Sequence, residues 1–134
     1  MLNRLFTPKA DAKDGLSQAQ REAIVDVLHY CMYADNFIAL NESRFISAKV
    51  ASYNWDPKIS FEYYQNKSIG AVRAALADPK SKEKFFESVK DRLATDELRA
   101  TAFELCQKLF VSDGSKSAGE FASQGEVRKG LGIS

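Results

Sequence analysis

The sequence predicts an all-α protein in which about six to seven helices pack into one compact bundle. Apolar residues recur every three or four positions along most of the chain, and hydroxyl or acidic residues typical of helix caps separate these periodic stretches. Strand-like alternation is brief and confined to residues 60–64. A length of 134 residues and 45% apolar content suit one domain with a sizeable core.

Cap residues mark the starts of most of the predicted helices, and a proline marks the end of one. Ser17 with Gln20 is a capping-box pattern that opens a helix over 18–34. A second helix should run from about residue 41 to the residues before Asp56-Pro57, because the position before proline disfavours helical geometry. Caps predict three more helices, which begin after Ser60, Asp78 and Thr95.

The sequence signals for the last two helices differ in strength. The helix after Thr95 has the widest apolar stripe and is therefore predicted to be the central one. A final helix over about 119–131 is opposed by Gly125 and Gly130, since glycine weakens helix interiors. Residues 1–14 are predicted to be a flexible N-terminal segment, and residues 15–134 a single helical domain.

The composition limits which partners and which cellular location are expected for this protein. Lys and Arg number 19 against 18 Asp and Glu, so the net charge of +1 supplies no field that would attract nucleic acid. No apolar run approaches the roughly 20 residues that a membrane span requires, and residues 1–14 do not resemble a signal peptide. Cys31 and Cys106 lie in apolar stretches without a CxxC motif and are predicted to be reduced core residues. A cytoplasmic protein is the resulting expectation.

Two similar helix, acidic turn, helix units are separated by an offset of 78 positions. In both units an Asp is followed, after six residues, by a Glu at the head of the next helix. The offset also matches a hydroxyl cap and an acid in the middle of the first helix. The matched pairs are Ser17 with Thr95, Asp26 with Glu104, Asp35 with Asp113, and Glu42 with Glu120. This pattern predicts two pseudo-symmetric halves.

The turn acids have two interpretations, which the sequence leaves open. Carboxylate and backbone oxygens suit a hard cation such as Ca²⁺, Mg²⁺ or Mn²⁺, bound by Asp35 with Glu42 and by Asp113 with Glu120. Asp26 and Glu104 are either additional ligands of this metal site or solvated acids on the wet faces of their helices. Alternatively the acids act only as helix caps, because negative charge at a helix N-terminus is favoured by roughly 0.3 to 1 kcal/mol. Neither turn fits the EF-hand template.

The segment Tyr33–Glu42, and the second segment Val111–Gly114 leading to Glu120, resemble the acidic turns of the tellurite-resistance TerB family. The resemblance implies an all-helical bundle with pseudo-twofold halves, a cytoplasmic location, a link to tellurite or other chemical stress, and an acidic surface that binds metal ions. The chain departs from the family pattern at Asn36, where Gly is usual, and at Lys116, where an aliphatic residue is expected.

The functional prediction is therefore a cation-binding module rather than an enzyme, while an enzyme of unknown reaction, using the paired carboxylates for acid-base chemistry, is a further hypothesis. His29 is the only histidine, and the sequence places no nucleophile or second ligand at a defined distance from it. The alternative prediction is a protein-interaction scaffold, in which the apolar and aromatic surface binds a protein partner. The sequence does not determine the partner or the oligomeric state.

Overall fold

The computed structural model describes the backbone of residues 15–34, 40–111 and 118–133, with side chains throughout except at 40–43, 110–111 and 118–123. These ranges contain six helices and no strand, which confirms the all-α prediction. The helices are α1 Gln18–Ala34, α2 Leu40–Ser52, α3 Phe61–Ala77, α4 Pro79–Arg92, α5 Asp96–Val111 and α6 Ala118–Gly130. The flexible segment predicted at 1–14 lies outside the described residues, and the pseudo-symmetry of the two halves stays a prediction.

The helix starts follow from local hydrogen bonds. At the start of α1 the Gln20 backbone N–H donates to Ser17 Oγ at 3.1 Å, and the Ser17 N–H donates to Gln20 Oε1 at 2.9 Å. Asp78 accepts from the backbone N–H of Ser81 at 2.9 Å, and Pro79 occupies the first position of α4. These contacts satisfy N–H groups that have no partner inside the helix, and they confirm the predicted caps.

Helix α2 ends at Ser52, earlier than the sequence predicted. The Tyr53 N–H donates to the Val50 carbonyl at 3.0 Å, an i to i−3 bond that tightens the last turn. The Trp55 indole N–H then donates to the Ile59 carbonyl at 2.9 Å, and the Trp55 ring lies 5.3 Å from the Phe61 ring. Because this corner is held by tertiary packing, the proline rule alone placed the helix end too late.

The central helix is α1, not α5 as predicted. Every residue from Ala23 to Met32 is buried, and α1 packs against each of the other five described helices. In contrast, α5 packs on α1, α2 and α6, and it leaves Thr101, Glu104 and Lys108 exposed. The width of an apolar stripe predicts how apolar a helix is, but it does not predict how many helices will cover it.

The α3–α4 hairpin covers α1 on the side that α5 does not reach. The Tyr30 ring of α1 lies 5.6 Å from the Phe85 ring and 5.0 Å from the Phe86 ring, both on α4. Aromatic pairs at such distances contribute beyond the area they bury. None of the helices within the described ranges is long and apolar enough to cross a membrane.

Two glycines should respond oppositely to alanine. A Cβ at Gly130 would lie 2.5 Å from Phe86 Cγ, so Gly130→Ala should lower the free energy of unfolding by about 1 to 3 kcal/mol. Gly70 lies in the interior of α3, and an added Cβ there would meet nothing within 4 Å, so Gly70→Ala should raise it by about 0.5 to 1 kcal/mol. Urea denaturation measures both values. A Gly130→Ala variant as stable as the Gly70→Ala variant would contradict the contact with Phe86.

Candidate functional site

Helices α1 and α5 run in the same direction. One cavity is lined by Gln20 and Ile24 from the first half of α1 and by α5 from Glu97 to Lys108, so the start of α1 lies near the start of α5. Nearer their C-terminal ends the two helices are joined by a disulfide between Cys31 and Cys106, whose Cα atoms lie 6.3 Å apart. At a rise of 1.5 Å per residue, α1 continues about 4.5 Å and α5 about 7.5 Å past this bond. Both helices therefore end at one end of the bundle, called here the α1/α5 C-terminal end.

The disulfide corrects the prediction that the two cysteines are reduced. Both are fully buried in the core, as their apolar surroundings indicated. Their pairing across 75 positions was not visible in the sequence, because only the packing of α1 on α5 brings them together. Disulfides persist mainly in oxidising compartments, so the cysteines no longer support the expectation of a cytoplasmic location.

The predicted turn acids lie at the edge of what the structure describes. Asp35 and Asp113 are outside the described residues, and for Glu42 in α2 and Glu120 in α6 only the backbone is described. Residue 35 directly follows the last residue of α1, and residue 113 is the second after α5. The chain therefore enters both acidic segments from the α1/α5 C-terminal end.

Asp26 lies in the interior, where the sequence had suggested either a metal ligand or a solvated acid. The residue is 5% exposed. Oδ1 accepts hydrogen bonds from the Tyr64 hydroxyl at 2.8 Å and the Ser68 hydroxyl at 2.6 Å, while Oδ2 accepts from Arg92 Nη2 at 2.7 Å. Three donors thus occupy the carboxylate, and the guanidinium compensates its charge. Asp26 has little capacity left for a cation.

The polar groups around Asp26 show how burial and charge compete. Burial raises the pKa of Tyr64, and the neighbouring Asp26 carboxylate raises it further. For Arg92, burial acts to lower the pKa, but the contact with Asp26 outweighs it, so the pKa of Arg92 rises. Arg92 is therefore charged and Tyr64 is protonated at neutral pH. The cluster consists of one ion pair whose carboxylate is held by two hydroxyl groups.

His29 extends this cluster deeper into the core. Its Nδ1 lies 2.8 Å from Ser68 Oγ, and the residue is fully buried. Burial lowers the pKa of His29 to about 4, against the opposing effect of Asp26, so the ring is neutral at pH 7. Because the Ser68 hydroxyl already donates to Asp26, the ring must donate from Nδ1, and Nε2 has no partner among the described residues.

This arrangement is not that of a catalytic triad. In a Ser-His-Asp triad the histidine lies between the serine and the carboxylate and removes the serine proton. Here Ser68 lies between His29 and Asp26, and its proton points to the carboxylate. The three residue types meet, but in an order that leaves His29 as a donor to Ser68. The hydrogen bonds among them provide partners for the Asp26 carboxylate, the Ser68 hydroxyl and His29 Nδ1 inside the bundle.

Glu104 occupies different surroundings from Asp26, although the offset of the repeat pairs them. It is exposed on α5 and lines a cavity of about 610 Å³ between α1, α2 and α5, together with Lys49 and Lys108. Asp26 instead faces α3 and α4. The structure thus does not bring these two acids together. In the part of the chain that is described, no group of three or more His, Cys, Asp or Glu residues could hold a metal ion.

Sequence reasoning missed the partners of Asp26. Tyr64 and Ser68 are four residues apart and therefore share one face of α3, which was a usable signal. Arg92, at the end of α4, gave no such signal, because it is separated from Asp26 by 66 positions. A charged residue at a helix end is usually solvated, and only the packing of α4 on α1 reveals its partner.

Together these features define a class: an all-α bundle with a disulfide between two of its helices and a buried charged cluster at the α1, α3 and α4 contact. Comparisons with protein-family models, with curated proteins and with solved structures gave no match.

Proposed function

We propose that the α1/α5 C-terminal end binds a divalent cation, Ca²⁺, Mg²⁺ or Mn²⁺, through Asp35 with Glu42 and secondarily through Asp113 with Glu120. The observation that carries the proposal is that α1 and α5 run in the same direction and are bonded between Cys31 and Cys106 near their C-terminal ends. Two segments with the same Asp and Glu spacing therefore begin from one end of the bundle. Carboxylate oxygens are the ligands that hard cations prefer.

Two of the six candidate acids are left out of the proposed ligand set. Asp26 is left out because Tyr64, Ser68 and Arg92 already occupy its oxygens. Glu104 is left out because it lies seven residues before the end of α5, about 10 Å along the helix, beside Lys108. The proposal therefore rests on the four turn acids alone.

We place this function, on the resemblance of residues 33–42 and 111–120 to the TerB family, in the response to tellurite or other chemical stress. The protein then acts as a binding module without enzymatic activity. A bound cation would offset the mutual repulsion of the turn carboxylates and hold the two segments in one arrangement, which a protein partner could recognise.

Calorimetric titration of the metal-free protein with Ca²⁺, Mg²⁺, Mn²⁺ and Zn²⁺ tests the proposal. At least one of the first three should bind with a Kd below about 1 mM, and Asp35→Asn should weaken that binding by about tenfold or more. Asp96→Asn is the matched control, since Asp96 is an exposed acid in the first turn of α5, at the opposite end of that helix. It should leave the binding unchanged.

Absence of binding up to millimolar concentration, or equal losses in the Asp35→Asn and Asp96→Asn variants, would contradict the cation site. The alternative hypothesis, a protein-interaction scaffold in which the turn acids are only helix caps, would then be favoured. Tyr63 favours that second candidate, because it is a large apolar residue of α3 with 69% of its surface exposed. In that case Tyr63→Ser should abolish capture of the protein partner, while Asp35→Asn leaves it intact.

A further inference from the structure

A cleft of about 510 Å³ opens between α1, α3 and α4, above the cluster formed by Asp26 and Arg92. We propose that this cleft binds a small organic anion, with one anionic group and a short apolar body. The cleft is separate from the α1/α5 C-terminal end, and none of its lining residues belongs to the turns. Its volume lies within the range of roughly 300 to 1,000 Å³ that is usual for small-molecule sites.

The charged side of the cleft has an excess of positive groups. Lys67 of α3 and Lys84 of α4 line it, and neither forms an ion pair or hydrogen bond with another described residue. Of the two lining carboxylates, Asp26 is paired with Arg92, and Glu22 accepts from Gln18 Nε2 at 3.2 Å but keeps its negative charge. The lining thus has three cationic groups against two carboxylates, and the two lysines are its unpaired cations.

Arg92 also lines the cleft and has N–H donors beyond those already bonded. Its Nε donates to the Ser88 carbonyl, Nη1 to the Tyr64 hydroxyl and Nη2 to Asp26. A guanidinium has five N–H groups, so two remain after these three bonds. The ion pair with Asp26 holds the guanidinium in place, so a ligand would not have to order this side chain. An anionic group matches both the donors and the lysines.

Part of the lining of the cleft is apolar. Ala71 and Ala74 are exposed one turn apart on α3, and Phe85 of α4, a mostly buried core residue, also lines the cleft. None of these side chains carries a polar group that would need a partner. A ligand with a short hydrocarbon body would cover this surface, whereas an inorganic anion would leave it exposed. This separates an organic anion from free phosphate as the expected ligand class.

Titrations of the full chain with three probes test the proposal. Hexanoate has both an anionic group and a short apolar body. Phosphate has only the anionic group, and hexanol has only the apolar body. Hexanoate should bind at least about tenfold more tightly than either of the others. The double variant Lys67→Gln/Lys84→Gln should weaken hexanoate binding by about five- to tenfold, and Ala74→Glu should abolish it, because it places a like charge in the cleft.

Matched controls are available at exposed positions outside the cleft. The double variant Lys58→Gln/Lys80→Gln removes the same charge, and Ala100→Glu on α5 introduces the same acid. Both should bind hexanoate like the wild type. The proposal is overturned if hexanoate does not bind at about 10 mM, if phosphate or hexanol binds as tightly, or if the Lys67 and Lys84 variant and its control bind equally. All the exchanged residues are exposed, so circular dichroism should show unchanged helix content.

Discussion

Replacing Arg92 with Met should lower the free energy of unfolding by about 3 to 5 kcal/mol, the largest effect expected of a single substitution here. Arg92 is the cationic partner of Asp26, whose side chain has only 7% of its surface exposed. Without the guanidinium, the Asp26 carboxylate would stay inside the bundle with only two hydroxyl donors. Burying an uncompensated charge costs far more than the loss of one exposed ion pair. Urea denaturation at neutral pH measures the loss.

Two further variants show whether the effect arises from the pair. Arg44 is exposed on α2, so Arg44→Met removes the same charge and should change stability by no more than about 0.5 kcal/mol. Adding Asp26→Asn to Arg92→Met removes the stranded charge and still offers an oxygen to Tyr64 and Ser68. It should recover about 1 kcal/mol or more. If Arg92→Met lost less than about 1 kcal/mol, the pair would be behaving like an exposed ion pair.

The second large effect is a loss of stability in mild acid, caused by His29. The ordinary pKa of a histidine side chain is 6.5, and burial lowers the pKa of His29 to about 4 in the folded protein, because burial disfavours the charged ring. As the pH falls below 6.5, the unfolded chain takes up a proton that the folded protein does not accept until about pH 4. Protonation therefore favours the unfolded state, and stability present above pH 6.5 is lost as the pH falls to about 4. The expected loss is about 2 kcal/mol between about pH 7.5 and pH 5.0.

Comparison with His29→Gln isolates this contribution, because carboxylates also titrate toward the acidic end of the window. Glutamine can still donate to Ser68 but does not titrate, so the variant should lose about 2 kcal/mol less than the wild type over the same pH interval. NMR gives a second measurement. His29 is the only histidine, so its ring proton signals report one pKa without assignment. A folded-state value near 6.5 would show that the ring is not buried.

The helix starts could be predicted because their determinants are local. Ser17 and Gln20 bond each other's backbone groups, and Asp78 bonds Ser81, across only three positions. The end of α2 could not be predicted in the same way. Its last turn closes with the Tyr53 N–H on the Val50 carbonyl, and the chain then turns at Trp55, whose ring packs against Phe61 of the next helix. Signals that act within one turn are readable from the sequence, whereas those that need a second helix are not.

The two candidate sites also differ in whether the sequence predicted them. The repeated Asp and Glu spacing is a sequence feature, and it selected residues 35–42 and 113–120 as the acidic segments. The cleft between α1, α3 and α4 was not predicted, because Lys67 and Lys84 lie on different helices and each resembles an ordinary solvated lysine. Their shared position depends on how α3 and α4 pack against each other.

By itself, the sequence determined that this protein is helical, where most of its helices begin, and which residues are apolar enough to form the core. Those properties depend on periodicity and capping, which act over a few residues. Only the tertiary structure decided that α1 is central, that Cys31 and Cys106 form a disulfide, and that Asp26 is paired with Arg92. Each of these depends on which helices become neighbours. The physical reason is that a buried thiol or carboxylate is defined by the group it meets, and here that group lies 75 positions away for Cys31 and 66 for Asp26.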